Sequence, residues 1–362
     1  MNKRKVVLLG PSLQAVSGVS THVRSLFSSE LAGDYQLLHF QVGSEGRREN
    51  ALQKLIRFAF SPLSLAYVLL RSGAGLVHFN ASLDAKGYWR DLVYWLVARS
   101  LGRRVLNQVH GGAMPQEFFR GNALLTWCLR RFLVASDAVT VLSSAELDRY
   151  REFDARINVH LVPNAIDPAG LSDPARSYNT GAMLRLVYVG RLVREKGLFE
   201  LIAALTQLKR GGRRFLLSVA GTGPAEAALG IAVRDANLDD CVRFLGGVFG
   251  ADKIELLRQS DVFVFPSYME GLPYALLEAM AAGCAPVTTP VAAIPDVMRD
   301  GEHGLFVPVR DVGALVRAIA ALDDDRAALA RMAGAARQRV LAHYTTGRLS
   351  DDLRRLYADC TA

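Results

Sequence analysis

The chain has 362 residues, 51% of them hydrophobic and 22% charged; this excludes a disordered or fibrous protein and is too long for one hydrophobic core, so two domains are expected. No run approaches the ~20 consecutive apolar residues of a membrane-spanning helix, so no such span is expected. The net charge of +8 belongs wholly to the first half: residues 1–166 hold 20 Lys/Arg against 12 Asp/Glu, and residues 167–362 hold 23 of each.

The first expected strand is "KVVLLG" (5–10). Its leader "MNKR" is basic, but the apolar run is too short for a secretory signal and enters a glycine loop. Further strands are expected at "GLVHFN" (75–80), "RVLNQVHGG" (104–112), "AVTVLS" (138–143) and "NVHLVPN" (158–164). Between the first two, "LQKLIRFAFSPLSLAYVLL" (52–70) reads either as an amphipathic surface segment interrupted at Pro62 or as core helices with solvated basic faces. From Arg47 to Arg131 there are 13 basic and 4 acidic residues, interleaved with aromatic side chains such as Phe58, Trp89 and Trp127. Such a field attracts an anionic surface, whether phospholipid or nucleic acid.

"DPAGLSDPARSYNTG" (167–181) has no periodicity and reads as a linker between an N-terminal domain, 1–166, and a C-terminal domain, 182–345. The strand rhythm then resumes at "LRLVYVG" (184–190), "RFLLSVAG" (214–221), "VRFLG" (242–246), "VFVFPS" (262–267) and "APVTTP" (285–290). Strands this apolar are buried on both faces, as in parallel sheets covered by helices. The expected fold class is therefore α/β: two Rossmann-like, doubly wound domains facing a cleft, with ligands at the carboxyl ends of the strands. The last helix, about 346–362, is a candidate to return to the first domain.

Two stretches carry chemistry. In "VYVGRLVREKGLFELIAAL" (187–205) a strand ends at Gly190, a loop carries Arg191 and Lys196, and Gly197 opens a helix. Two cations beside a helix N-terminus suit a diphosphate, Arg gripping two oxygens and Lys acting as a compact charge. The alternative is a solvated loop with stray basic residues. In "SYMEGLPYALLEAMAAG" (267–283), Pro273 is placed for the first helical position and Gly283 for the terminator. Amides near Gly271, Leu272 and Tyr274 would form an anion site, with Glu270 and Glu278 left to accept hydrogen bonds from sugar and ribose hydroxyls. Singly, Glu278 reads equally well as a half-buried carboxylate paired with an arginine.

The four cysteines lie far apart and read as free thiols of a reducing, cytoplasmic compartment. The seven histidines make no HExxH, and Asp323–Asp324–Asp325 follows a helical pattern, so no metal and no cofactor are expected.

"GRLVREKG", "GTGP" (221–224) and "FPSYMEGLPYALLEAMAAGCAPVTTPVAAIPDVMRDGEHGLFVP" together resemble the C-terminal domain of glycosyltransferase family 4, whose members are retaining, nucleotide-sugar-dependent enzymes of the GT-B fold. The resemblance implies that Arg191 and Lys196 bind the diphosphate of a UDP- or GDP-sugar, that Glu270 contacts the transferred sugar and Glu278 the ribose, and that amides of Gly271 and Leu272 add donor contacts. "VRFLGGV" (242–248) would meet the base. In the first half, "SLQAVSGVSTHV" (12–23) is similar to the family's glycine loop, placing the Gly18 amide near phosphate, with Ser17 where paired glycines are usual. "QVHGG" is similar to its strand-end histidine, making His110 a contact for the reacting sugar rather than a structural residue. "VPNAID" has Ala165 where glycine is common. A lipid-linked or glycan acceptor at an anionic membrane surface completes the expectation, with no nucleic acid as partner. The competing readings are a nucleotide-sugar epimerase or a phosphorylase on the same architecture, and a basic nucleic-acid-binding protein; "GTGP" followed by Glu226 is too incomplete for a dinucleotide fingerprint.

Overall fold

The computed structural model describes residues 3–47, 49–171, 178 and 183–361. The chain divides into two compact units, Met1–Ala165 with Thr346–Ala362, and Ile166–Thr345. Most of the expected linker, residues 172–177 and 179–181, lies outside the described residues.

The first unit runs β1 (Lys5–Gly10), α1 (Gly18–Ser28), α2 (Leu31–Asp34), β2 (Gln36–Gln41), α3 (Ala51–Ser72), β3 (Leu76–Leu83), α4 (Ala85–Ser100), β4 (Arg104–Gly112), α5 (Pro115–Phe118), α6 (Ala123–Val134), β5 (Ala138–Val141), α7 (Ser144–Phe153) and β6 (Val159–Leu161). Its sheet is parallel, in the order β2-β1-β3-β4-β5-β6. Helix starts follow local chemistry. Ser17 caps α1, and Asn50–Gln53 and Ser143–Glu146 form reciprocal boxes at α3 and α7.

Helix α3 runs unbroken through Pro62, where the sequence reading expects an interruption. The proline removes one backbone bond. The helix is held before it by the Ser61 hydroxyl, 2.8 Å from that of Tyr94, and beyond it by Leu65 and Leu69 in the core. This helix is long and apolar enough to cross a membrane by length and composition alone, which counting consecutive apolar residues misses.

The second unit runs β7 (Leu184–Val189), a 3-10 turn (Arg194–Lys196), α8 (Leu198–Arg210), β8 (Phe215–Ala220), α9 (Glu226–Asp235), β9 (Val242–Gly246), α10 (Gly250–Arg258), β10 (Val262–Phe265), α11 (Tyr274–Ala281), β11 (Ala285–Thr288), α12 (Ile294–Val297), β12 (Leu305–Phe306), α13 (Val312–Asp324) and α14 (Arg326–His343). Its sheet is also parallel, ordered β12-β11-β10-β7-β8-β9. Each unit is thus a doubly wound, Rossmann-like α/β domain, in which the chain grows outward from a central strand, reverses, and grows on its other side.

Helix α15 (Thr346–Thr361) belongs to the first unit. Leu349, Leu353, Leu356 and Cys360 recur at i+3/i+4 spacing and are buried with Val6, Leu8, Leu26 and Leu106. Thus α1, α2 and α15 cover one face of that sheet, and α3, α4, α6 and α7 the other.

Candidate active site

In the second unit β7 lies between β8 and β10, so the loops leaving β7 and β10 diverge at the point where strand order reverses, the usual ligand position in an open α/β sheet. The loop after β7 carries Arg191 and Lys196; the loop after β10 carries Glu270 and leads into α11. The two are tied together: the Tyr268 amide donates to the Glu195 carbonyl at 2.8 Å, and the Ser267 hydroxyl reaches the same oxygen at 3.3 Å.

"GTGP" braces the cationic loop from the other side. The Leu192 amide donates to the Thr222 carbonyl and the Ala225 amide to the Leu192 carbonyl, both at 3.0 Å. Gly221 has φ +149°, and a Cβ there would lie 1.8 Å from the Gly190 carbonyl oxygen; one at Gly223 would lie 2.3 Å from that of Leu192. These glycines let backbone meet backbone and so fix where Arg191 begins.

Beneath the loop is a ladder of rings. Phe265 stacks on Tyr188 with centroids 5.7 Å apart and on Phe263 at 5.3 Å, and the Tyr188 hydroxyl donates to the Arg191 carbonyl at 2.8 Å. Burial, and then the Glu270 charge, push the Tyr188 phenol upward, so it stays a donor. The Lys196 ammonium sits 5.2 Å from the Phe265 centroid and is ion-paired with Glu270. Lys196 and Glu270, which the sequence reading gives to different parts of a ligand, therefore hold each other. Arg191 is exposed, and its guanidinium has no ion-pair partner among the described residues.

Helix α11 starts at Tyr274, with Pro273 as its cap at ψ 123° instead of its first residue, because the extended ψ keeps the proline just outside the helical turn. At the far end, Gly283 (φ +81°) donates to Met280 and Cys284 to Ala279, the paired bonds of a left-handed glycine terminator. Glu278, on the second turn, pairs with Lys253 of α10 at 2.7 Å: the partner is a lysine, not an arginine. Gly271 is half-buried, while Leu272 and Tyr274 are buried and make contacts of their own. "VRFLGGV" ends edge strand β9 at Gly246, whose carbonyl accepts from the Gly221 amide at 2.6 Å.

In the first unit Gly18 is the first residue of α1, behind the Ser17 cap, just beyond β1. His110 lies near the end of β4 (Arg104–Gly112), two strands over. The Asn80 amide nitrogen donates to the Leu9 carbonyl at 3.0 Å, which turns its oxygen to accept from His110 Nε2, also at 3.0 Å. The His110 ring meets that of His22 edge-on at 4.6 Å. Burial holds His110 well below the ordinary histidine range, helped by His22 and His78 and opposed by a hydrogen bond to Asn164. Burial also lowers His22 to about 4 and His78 to about 3. His78 Nε2 faces the Gln108 side-chain oxygen at 3.0 Å, leaving Nδ1 to accept from the Tyr357 hydroxyl of α15 at 2.6 Å. A cavity of about 180 Å³, lined by Pro11, Val19, Asn80 and Arg90, opens at the β1/β3 reversal of the same sheet.

Asp323 and Asp324 pair with Arg213 at 3.1 and 2.7 Å, and Asp325 caps α14. No cluster of three or more His, Cys, Asp and Glu residues is placed for a metal among the described residues.

Comparison with known proteins fits this geometry. The profile for "Glycosyl transferases group 1" matches residues 181–339, and that for "Glycosyltransferase Family 4" matches residues 10–169. A glycogen synthase of Mycobacterium tuberculosis is 32% identical over 306 residues, covering 78% of this chain and 71% of that one. The chain belongs to glycosyltransferase family 4. A GDP-mannose-dependent phosphatidylinositol monomannoside mannosyltransferase of the same genus and species is 29% identical over 245 residues, 62% of this chain and 64% of its own. Among solved structures, Anabaena HepE in complex with UDP-glucose superposes with a TM-score of 0.74 at 16% identity, covering 98% of this chain and 99% of that one, which shows the GT-B fold. As a family 4 glycosyltransferase, the protein is an enzyme, and the epimerase, phosphorylase and nucleic-acid readings fall away.

Sequence reasoning does not find Lys253, Tyr188, Phe265, His22 or His78. Lys253 sits at an ordinary exposed-helix position 25 residues before Glu278, and Tyr188 and Phe265 read as strand core. His22 follows "GVST" in the glycine loop that the family resemblance singles out, the one signal that points toward any of them.

Proposed function

We propose that this glycosyltransferase moves a sugar, with retention of anomeric configuration, from a UDP- or GDP-sugar to a lipid-linked or polysaccharide-precursor acceptor at the cytoplasmic face of a membrane, without a metal ion. The observation that carries the donor assignment is the exposed, unpaired Arg191 beside the Lys196–Glu270 pair at the strand-order reversal of the second unit. A diphosphate arriving there takes Arg191 bidentately and draws Lys196 from Glu270, freeing that carboxylate for sugar hydroxyls. Glu278 receives the ribose hydroxyls with Lys253 holding its second oxygen in place, and the Gly271 and Leu272 amides add donor contacts. His110 and the Gly18 amide are the proposed contributions of the first unit. The glycosidic carbon–oxygen bond breaks with its electron pair going to the β-phosphate. The acceptor oxygen attacks from the same face and passes its proton to the departing phosphate. Arg191 and Lys196 stabilise the charge that develops, a role whose loss typically costs ~10²–10³ in rate. His110, kept neutral by burial, orients the sugar as a hydrogen-bonding partner rather than as a cation.

UDP- and GDP-sugars are to be screened for turnover with and without EDTA, with NMR of the product's anomeric proton. Lys196→Ala and Glu270→Ala are each expected to lower kcat/KM by ~10²–10³. Turnover within a few-fold of wild type for both, an inverted product, or abolition by EDTA would each defeat the corresponding part of this reading.

A further inference from the structure

Helix α3 carries an apolar stripe that nothing among the described residues covers. Leu52, Ile56, Phe60, Leu63, Tyr67 and Leu70 recur at i+3/i+4 spacing and are 50–65% exposed. The opposite edge is anchored: Leu65 and Leu69 are fully buried among Val7, Val77, Phe79 and Val105. A membrane span would tear these two from the core, whereas a helix lying in the plane of a surface keeps them. The stripe has neighbours. On α4, Trp89, Val93 and Leu96 are exposed at the same spacing, and on α6 Leu124 and Trp127 are exposed. All three helices cover the same face of the sheet.

Charge selects the occupant. The three helices hold eight Lys/Arg and one carboxylate, Asp91, which Arg90 pairs at 2.7 Å. A second copy of this face would bring like charges together. An anionic bilayer offers acyl chains to the stripe and phosphates to the cations, with Trp89 and Trp127 suited to the boundary between them.

We propose that α3, flanked by α4 and α6, is the in-plane docking element by which the first unit binds an anionic phospholipid surface. This deepens the membrane-face acceptor reading given above and can fail independently of sugar transfer.

The test is co-sedimentation at low salt with phosphatidylglycerol/phosphatidylcholine vesicles and with phosphatidylcholine alone, in the absence of any nucleotide sugar. Partition into the anionic vesicles is expected to exceed that into neutral ones by at least tenfold, with a blue shift of tryptophan emission. Phe60→Asp/Leu63→Asp is expected to lose at least tenfold in partition with an unchanged melting temperature. Should that pair unfold, Leu52→Ser/Ile56→Ser, in the first turns and away from Leu65 and Leu69, makes the same measurement. No binding to anionic vesicles, equal binding to neutral ones, variants that bind like wild type, or a solution dimer that the same substitutions dissociate would each overturn the proposal. None of these outcomes bears on donor turnover in solution, which tests the transferase reading alone.

Discussion

Gly197 has φ +70°, and a Cβ at this position would lie 2.1 Å from the Pro266 carbonyl oxygen. It closes the turn bearing Lys196 and opens α8 while pressing against the loop of Glu270, so the ion pair is placed by backbone contact. Gly197→Ala is expected to cost roughly 3 kcal/mol from the left-handed φ and the clash together, seen as a drop in melting temperature, and to lower kcat by displacing Lys196. A double-mutant cycle on Lys196 and Glu270 is expected to be strongly non-additive, because each single change strands the other charge in a half-buried site. The buried histidines make a pH prediction at the same scale. Their folded pKa values lie below the unfolded value of about 6.5, so between that value and about 4 the unfolded chain binds more protons than the native one. Stability is present above pH 6.5 and is lost as pH falls, by up to about 1.4 kcal/mol per unit for each ring. Melting temperatures from pH 7.5 to 5 should decline accordingly; a flat profile would mean that the rings titrate in the fold as they do in the unfolded chain.

At the scale of elements, α15 is a structural part of the first unit. Leu353→Ala is expected to cost about 2–5 kcal/mol, and deletion of residues 346–362 should leave an aggregating protein, because the face under Leu349, Leu353, Leu356 and Tyr357 would meet water. Soluble expression with a cooperative melt would contradict this. Most of the strands legible in the sequence are apolar runs buried on both faces. β1, β4 and β9 have the expected bounds, and seven others differ from them by a few residues at most. The two not anticipated are both edge strands: β2, "QLLHFQ", has no fully buried residue, and β12 is two residues long. A one-sided or very short strand lacks the continuous apolar run by which the others are recognised. The site divides the same way. Arg191, Lys196 and Glu270 are visible because each sits beside a strand end or a glycine turn, and Glu278 because it is a carboxylate in an otherwise apolar helix. The Lys196–Glu270 and Lys253–Glu278 pairs span 74 and 25 residues and follow only once strand order brings their loops together.

For the whole molecule, the two units repeat one architecture with different electrostatics: the charge excess lies entirely in the first 166 residues, whereas the second half is neutral overall and places Arg191, exposed and without an ion-pair partner among the described residues, at the strand-order reversal. A nucleoside diphosphate should therefore stabilise the protein through the second unit. Saturating UDP or GDP, at about 100 times Kd, adds about 2.7 kcal/mol and should raise the melting temperature by roughly 5–10 °C. Arg191→Ala should abolish most of that shift and leave the apo melting temperature unchanged.

The first unit is assembled from segments that lie on both sides of the second in the chain. A ribosome therefore releases β1 to β6 long before the helix that seals them, and the whole second unit emerges in the interval. During that wait His78 lacks its phenol and one sheet face stands open to chaperones and proteases. A nonsense codon late in the message would remove no residue of the proposed donor site, yet it should leave a polypeptide marked for degradation.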